Sequence, residues 1–200
     1  MTSYIRTYTA FHFYAFFSFL MYMTNHFIFT YLGNKRNEFK HLYNVIDDLD
    51  NFDTIIEPFC GSSAISFNIW LKHPNKKFIL NDNNEDLIKV YNLIKNENIE
   101  TIKNRLLDIK NKINNNKETF NTMYKEFKQS KEQDIYQYIY FNKFNGLGKV
   151  GLYRECKFKD FTKQQYKFFE FIKTANIIFM NNDWYDVFKE YSNDEEKKHL

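Results

Sequence analysis

Three acidic residues stand where apolar runs of the sequence give way to polar turns. The runs and the acid that follows each are residues 53–56 with Glu57, 77–80 with Asp82, and 175–180 with Asp183. Each run is rich in β-branched or aromatic residues, which is typical of a buried strand. Ligands of parallel sheets sit outside the carboxyl ends of the strands, so we expect the three carboxylates to converge on one ligand. Acidic residues are also common in turns, and this alternative stays open for each acid taken alone.

The residues around these acids favour a nucleoside ligand without phosphates. Gly61 lies in a turn after the first strand and permits close backbone approach, but a single glycine preceded by Glu57 does not match the G-x-G-x-x-G fingerprint of a dinucleotide site. Asp82 is placed to accept hydrogen bonds from both ribose hydroxyls. Asp183 suits an exocyclic amino group, and the neighbouring Trp184 suits stacking on a base. Ribose, adenine and an amino-acid-like cation together favour S-adenosylmethionine over NAD or ATP.

Helical patterns separate the strands. Apolar residues recur at helical spacing in residues 62–72, 84–95, 98–113, 118–143 and 162–173. Ser62 is a candidate N-cap for the first of these helices. Strand–helix alternation of this kind predicts an α/β fold whose parallel sheet is connected by right-handed crossovers.

The composition excludes several classes of protein. An aromatic share of 20% among 200 residues excludes a chain that is disordered throughout. Two cysteines form neither a disulfide framework nor, by themselves, a four-ligand zinc site, and the five histidines show no metal-ligand spacing around them. We therefore expect no metal. The serines after Gly61 lack the G-x-S-x-G elbow of a serine nucleophile.

Positive charge is concentrated in residues 141–173. The whole chain carries a formal net charge of only +3, but this stretch contains eight lysines and arginines against three acidic residues. A local excess of this kind is what a phosphate-facing surface needs. A lysine-rich solvated face is an equally good interpretation of the charge alone.

The amino-terminal region contains an uncharged apolar stretch at residues 13–23. A membrane-spanning helix needs about 20 apolar residues, so the length of this stretch disfavours a membrane anchor. A signal peptide is an alternative, but no A-x-A cleavage site follows the stretch. An extension outside the fold, a buried helix and a partner-binding segment all remain open, and Met21 and Met23 are alternative starts. A small membrane-associated protein, based on residues 11–32, is a separate hypothesis.

Four motifs in a fixed order resemble those of a known enzyme family. They read F-T-Y-L-G-N-K-R at 29–36, I-E-P-F-C-G-S-S-A-I-S-F at 56–67, N-D-N-N-E-D-L-I-K-V-Y at 81–91 and N-K-F-N-G-L at 142–147. Residues 27–191 resemble the D12 class, or Dam-like, DNA adenine-N6 methyltransferases with the α order of motifs. The resemblance implies a Rossmann-like methyltransferase fold with a parallel sheet and a small helical target-recognition region. It also implies S-adenosyl-L-methionine as cofactor, double-stranded DNA as substrate and a cytoplasmic location, in the host cytoplasm if the protein is viral.

The resemblance assigns roles to individual residues. For cofactor binding it implies Tyr31, Lys35, Glu57, Pro58, Phe59, Gly61, Asp82, Asp183 and Trp184. For DNA binding it implies Phe144, Asn145, Lys149 and Arg154. The chain departs from the family where Gly33-Asn34-Lys35 replaces Gly-Gly-Lys and where Ser63 replaces a frequent glycine. The sequence after Leu147 also diverges, so the DNA sequence that is read does not transfer.

The family's catalytic D-P-P-Y loop is missing from these 200 residues. The two prolines, Pro58 and Pro74, are not adjacent, so no Pro-Pro pair exists. We expect an apolar extension at 1–22, a cofactor-binding part at 23–113, a target-recognition region at 114–173, and a return strand at 174–200 followed by truncation, which leaves the fold incomplete at the C-terminus. No catalytic residue is assigned.

Two functional hypotheses follow from this pattern. The first is a site-specific adenine-N6 methyltransferase or an amino-terminal fragment of one, with a separate D-P-P-Y fragment as a candidate partner. The second is a catalytically inactive remnant that binds DNA or cofactor. We expect the isolated chain to be poorly active or inactive.

Overall fold

The computed structural model describes residues 26–29, 51–144 and 153–192. Three strands and seven helices lie within these ranges, in the order β1 (Thr54–Glu57), α1 (Ala64–Trp70), β2 (Lys77–Asn81), α2 (Glu85–Asn96), α3 (Ile99–Ile113), α4 (Lys117–Gln129), α5 (Ile135–Phe144), α6 (Lys163–Thr174), β3 (Asn176–Met180) and α7 (Trp184–Ser192). The three predicted strands are confirmed. Helices α2, α3 and α6 also begin and end within one residue of their predicted bounds.

The three strands form one parallel sheet in the order β1-β2-β3. Ile55 lies opposite Phe78, which lies opposite Ile177, so these buried side chains share one face of the sheet. Phe171 of α6 packs on this face, with its ring centroid 5.4 Å from that of Phe78. The predicted α/β fold with a parallel sheet is confirmed.

Helices α1, α2 and α6 cover the same face of the sheet. Phe67 of α1 contacts Phe171 of α6 at 5.8 Å between ring centroids, and Tyr91 of α2 stacks on Phe179 of β3 at 5.1 Å. Right-handed crossovers that advance in one direction place their helices on a single side, which explains the arrangement. The opposite face is more open at β3, where Ile178 is 40% exposed.

The short segment 26–29 belongs to the core. Its three apolar residues are buried, and two of its carbonyls are bonded. The carbonyl of Phe27 accepts a hydrogen bond from Gln165 Nε2 at 2.8 Å, and that of Ile28 accepts one from Lys143 Nζ at 2.7 Å. The segment is thereby tied to α5 and α6. The expected extension at 1–22 lies outside the described residues.

The predicted helix at 118–143 is two helices. Helix α4 ends at Gln129, and the polar segment 130–134 separates it from α5. Asp134 accepts the backbone N–H of Gln137 at 2.8 Å through its carboxylate, so it caps the start of α5. The single-helix prediction was wrong because this capping residue was taken as part of a continuous helical pattern.

Helix α1 is preceded by Ser63, not by the predicted cap Ser62. Ser63 has φ 49° and ψ 36°, and its side chain makes no capping hydrogen bond. Its hydroxyl instead donates to Tyr91 Oη at 2.8 Å. Gly61 has φ 49° as well, so two left-handed residues within three positions bring the chain into the helix.

Substitutions of Ser63 are expected to separate two contributions to the free energy of unfolding: the strain of its left-handed backbone and the hydrogen bond that its hydroxyl donates. Ser63→Ala loses the bond to Tyr91 but keeps the left-handed strain, so we expect a loss of about 1 kcal/mol in the free energy of unfolding. Ser63→Gly loses the same bond and relieves the strain, so it should be more stable than Ser63→Ala by about 1 kcal/mol. Urea unfolding of the two variants measures this difference, and equal stabilities would contradict it.

A lysine covers part of the edge of β3. Lys95 on α2 donates from Nζ to the carbonyl oxygen of Ile177 at 2.8 Å. The same ammonium lies 5.5 Å from the ring centroid of Phe179. A charged side chain therefore occupies a main-chain acceptor on this strand. Within the described residues β1, at the other end of the sheet, is paired on one side only.

Candidate functional site

The carboxyl ends of the three strands are joined by hydrogen bonds between the loops that follow them. The N–H of Cys60, after β1, donates to the carbonyl of Asn81 at 2.8 Å, and the N–H of Asp82 donates to the carbonyl of Met180 at 3.3 Å. Asn181, after β3, donates from Nδ2 to the carbonyl of Asp82 at 2.8 Å. The loops that contain the three predicted acids therefore meet at one edge of the sheet.

Glu57 is half-buried and is held by the start of α1. Its Oε2 accepts from Ser66 Oγ at 2.5 Å and from Ser66 N at 3.3 Å. Burial raises the pKa of Glu57 to about 7; the Ser66 hydrogen bonds oppose this rise, and the charge of Asp82 adds to it. At neutral pH the carboxyl group is thus poised between its two forms. A cationic ligand group placed beside it would favour the carboxylate.

The raised pKa of Glu57 predicts a pH-dependent stability. Between pH 4.5, the ordinary value, and about 7, the folded protein keeps a proton that the unfolded chain has lost. The free energy of unfolding therefore falls as the pH rises through this window and levels off above it. Glu57→Gln removes the titration and keeps an acceptor for Ser66. We expect the stability of this variant relative to the native protein to increase by about 2 kcal/mol from pH 5 to pH 8.

Urea unfolding at pH 5, 6, 7 and 8 measures this trend. Glu118→Gln, an exposed change in the first turn of α4, is the control for replacing a glutamate by glutamine away from the strand ends. A constant difference between Glu57→Gln and the native protein across the series would contradict the assignment.

Asp82 is half-buried and fixed by two backbone donors. Its Oδ2 accepts from the N–H of Gly61 at 2.9 Å, and its Oδ1 accepts from the N–H of Asn84 at 3.0 Å. A carboxylate has about four lone-pair sites, so each oxygen retains one for a ligand. Asp82 is therefore oriented before any ligand binds, and the glycine turn lies directly against it.

A buried tyrosine completes the support of the glycine turn. Tyr91 Oη donates to the carbonyl of Gly61 at 2.6 Å and accepts from the Ser63 hydroxyl at 2.8 Å. Burial raises the pKa of Tyr91 well above its usual value, so the hydroxyl stays a donor. Tyr91 belongs to the helical pattern at 84–95 and to the motif at 81–91, but neither pattern gives its hydroxyl a role. The signal available was a tyrosine at a core position, because a buried hydroxyl needs a partner.

Asp183 is exposed and begins the last described helix. Its Oδ1 accepts the N–H of Tyr185 at 2.8 Å, and its carbonyl accepts the N–H groups of Asp186 and Val187 at 3.1 and 3.3 Å. The Asp183 side chain thus acts as a cap for α7. The role expected for Asp183 from the sequence stays a prediction.

Two exposed aromatic rings from different loops face each other at this edge. Phe59 follows β1 and is 67% exposed, and Trp184 follows β3 and is 47% exposed. Their ring centroids are 6.1 Å apart, with an angle of 35° between the ring planes. Large exposed aromatic groups that meet in one place mark a binding surface more often than a structural one. A planar base is a suitable ligand for such a pair.

The thiol at this edge does not provide a nucleophile. Cys60 is buried, and burial raises its pKa well above the usual value, with the charges of Glu57 and Asp82 adding to the effect. The thiolate is the reactive form of cysteine, so this group stays unreactive. Within the described ranges, no group of three or more His, Cys, Asp or Glu side chains is arranged to hold a metal ion.

The basic stretch divides into buried and exposed residues. Lys143 is enclosed between Phe158 and Phe161, with Nζ 5.4 and 5.5 Å from their ring centroids, and burial lowers its pKa to about 8. It packs the core and does not belong to an outward basic surface. Exposed basic side chains in this stretch include Arg154, Lys157, Lys159 and Lys163. These remain candidates for contact with phosphates.

Several predicted site residues fall outside the part of the chain that the structure describes. These are Tyr31, Lys35, Asn145 and Lys149. Phe144 is the last residue of α5. Of the residues assigned to DNA by resemblance, Arg154 is described and exposed. The assigned roles of the site residues remain predictions.

Cavities are found away from the strand ends. A surface cavity of about 450 Å³ lies between α2 and the start of α5, and one of about 480 Å³ lies between α2 and the segment 130–133. They share Lys89, and no predicted site residue lines them. Neither cavity is lined by Phe59 or Trp184, the two exposed rings at the carboxyl edge of the sheet. Among the described helices, none has the length and apolar character needed to cross a membrane.

Comparison with known proteins gives two matches. A sequence model of the family described as D12 class N6 adenine-specific DNA methyltransferase matches residues 31–198. The chain is also 30% identical, over 113 residues, to the Type II methyltransferase M.MjaIII of Methanocaldococcus jannaschii. This second match covers 50% of the chain and 38% of the M.MjaIII protein.

Proposed function

Since the chain belongs to the D12 class of N6 adenine-specific DNA methyltransferases, we propose that it binds S-adenosyl-L-methionine and serves site-specific methylation of adenine N6 in double-stranded DNA. The main support is the meeting of Asp82, Glu57 and the Phe59–Trp184 pair at one edge of the sheet. A cytoplasmic location, with host cytoplasm for a viral protein, is part of the proposal.

The residues at this edge fit the parts of the cofactor one by one. Each carboxylate oxygen of Asp82 accepts one backbone N–H and has one further lone pair, and these two lone pairs accept hydrogen bonds from the ribose hydroxyls. Phe59 and Trp184 stack on the adenine, and Asp183 accepts from its amino group. The carboxylate of Glu57 binds the positively charged, amino-acid-like end of the ligand.

Further residues are assigned through the family. Pro58 and Gly61 shape the turn beneath the cofactor, and Tyr31 and Lys35 add contacts from the amino-terminal side. The cofactor supplies a methyl group activated by a sulfonium. The chain binds and orients it.

The DNA surface is proposed on α5 and the residues that follow it. Phe144 and Asn145 contact DNA near the target base, and Lys149 and Arg154 contact phosphates or base edges. The exposed lysines at 157, 159 and 163 extend the positive surface beside Arg154. Because the matched relative is more than twice as long as the segment shared with it, DNA binding by the present residues is a proposal for part of a larger assembly.

Methyl transfer needs a group that these 200 residues lack. No Pro-Pro pair exists in the chain, so a D-P-P-Y loop has to come from another polypeptide segment. Among the described strands β1 is paired on one side only. In the doubly wound order 3-2-1-4-5-6 the next strand pairs with the first one, so β1 is where a complementing strand would add. The alternative function is a catalytically inactive protein that binds cofactor or DNA.

Two measurements test these functions. Calorimetry with S-adenosylmethionine is expected to show binding by the chain alone, and absence of binding would refute the proposed cofactor site. Transfer of labelled methyl groups to duplex DNA is then measured with and without a fragment that ends in a D-P-P-Y strand. Turnover only with the fragment supports a divided enzyme. Binding without turnover in either case supports the inactive alternative.

A further inference from the structure

A buried asparagine joins the two loops that bear the aromatic pair. Asn81 is the last residue of β2 and is 1% exposed. Its Nδ2 donates to the carbonyl of Pro58 at 2.9 Å and to the carbonyl of Asn182 at 3.0 Å. Its Oδ1 accepts the N–H of Asn182 at 2.9 Å. One amide side chain thus bonds to the chain on both sides of the central strand.

All polar positions of this amide are used inside the fold. Each of the two N–H donors has its own carbonyl, and the oxygen has a backbone donor, so the buried group is satisfied in one orientation. A satisfied buried polar network specifies a single geometry, because any other leaves a polar group unpaired. The partners are 23 and 101 residues away in sequence, so Asn81 fixes a long-range spacing.

The fixed spacing is that of the Phe59–Trp184 pair. Phe59 directly follows Pro58, and Trp184 lies two residues after Asn182. Their rings meet 6.1 Å apart on the solvent side of the same loops. We propose that Asn81 is a positioning residue: it sets the separation of the two aromatic rings and, through them, the affinity for an adenine-containing ligand. The second part of this inference rests on the proposed function, and the first part does not.

Replacing Asn81 with aspartate removes the two N–H donors of its amide and keeps the size of the side chain. An ionised carboxylate at this position offers no donor and faces two carbonyl oxygens, so in Asn81→Asp at pH 8 the two loops are expected to move apart. Protonation restores one donor, so the native arrangement should return in part as the pH is lowered. Asn68→Asp on α1 is the matched control, because the Nδ2 of Asn68 also donates to a backbone carbonyl, that of Ala64 at 2.7 Å.

The fluorescence of Trp184 reports the arrangement of the Phe59–Trp184 pair in the absence of a ligand. The chain contains two tryptophans, so Trp70→Phe leaves Trp184 as the single tryptophan, which is excited selectively at wavelengths that tyrosine does not absorb. In this background Asn81→Asp should shift Trp184 emission to the red at pH 8, with partial recovery at lower pH, whereas Asn68→Asp should leave it unchanged. A buried carboxylate also makes stability depend on pH, so far-UV circular dichroism must show that the variant is folded at each pH; a red shift that appears only when the variant unfolds would contradict the positioning role.

Affinity provides the second readout. We expect S-adenosylmethionine to bind Asn81→Asp at least tenfold more weakly at pH 8, and Asn68→Asp within twofold of the native protein. Native Trp184 emission together with native affinity in Asn81→Asp would overturn the inference. If that variant does not fold, Asn81→Ser, whose hydroxyl can donate only one hydrogen bond, must shift Trp184 emission to the red relative to the native background, and Asn68→Ser must leave it unchanged. If the native protein binds no S-adenosylmethionine, the proposed function fails, and the emission of the unliganded variants still decides the role of Asn81.

Discussion

Replacing Asp82 with alanine is expected to weaken the binding of S-adenosylmethionine by about a hundredfold or more. Each hydrogen bond from a ribose hydroxyl to the carboxylate is worth about 1.5–3 kcal/mol, and two are lost. The carboxylate is also oriented by Gly61 and Asn84, so its removal frees the glycine turn. Isothermal titration calorimetry measures the change in Kd.

Asp86→Ala is the control for this prediction. Asp86 lies on α2, and its contact with Lys89 at 3.6 Å is a surface ion pair away from the strand ends. Such pairs contribute little, so the variant should bind S-adenosylmethionine within twofold of the native protein. Equal losses in the two variants would mean that Asp82 does not contact the cofactor.

Phe171→Ala is expected to reduce the free energy of unfolding by about 3–5 kcal/mol. The Phe171 side chain is fully buried and contacts Phe78 on the sheet and Phe67 on α1, so its removal opens a cavity where the sheet meets the helix layer. The surrounding aromatic rings are rigid and can collapse only in part, which places the cost at the high end for core truncations.

Phe188→Ala provides the comparison within the same residue type. Phe188 is on α7 and is 60% exposed, so its truncation should change the free energy of unfolding by no more than about 0.5 kcal/mol. Urea unfolding of both variants at one pH measures the contrast. A small effect at Phe171 would contradict the packing of α6 on the sheet.

The strands were predictable because their signal is local. An apolar run such as residues 77–80, closed by polar residues, has few interpretations, and the ends of β2 fall within one residue of it. Parallel order followed from strand–helix alternation, and this placed the acidic ends of the strands at one edge. The meeting of the three strand ends at one edge of the sheet could therefore be predicted from the sequence, and the binding role of that edge stays a prediction.

The residues that hold the loops and side chains of this edge in place could not be predicted in the same way. Ser66, Tyr91 and Asn81 act through partners that are 9 to 101 residues away along the chain, and no periodic pattern marks such pairs. The charge of Lys143 led to a wrong expectation. In the sequence this lysine counts toward a basic stretch expected at the surface, whereas its ammonium lies between the rings of Phe158 and Phe161. The helix N-cap was misassigned for a related reason: neither the left-handed backbone at Ser63 nor its hydrogen bond to Tyr91 is marked by the local sequence pattern.

The lysine on the outer strand has a consequence for how molecules of this protein associate in solution. Because Lys95 already occupies the carbonyl of Ile177, a foreign strand that approached β3 would have to displace an ammonium group and desolvate it. Among the described strands, strand addition at β3 is therefore opposed by a charged side chain, which lowers the tendency of this edge to aggregate.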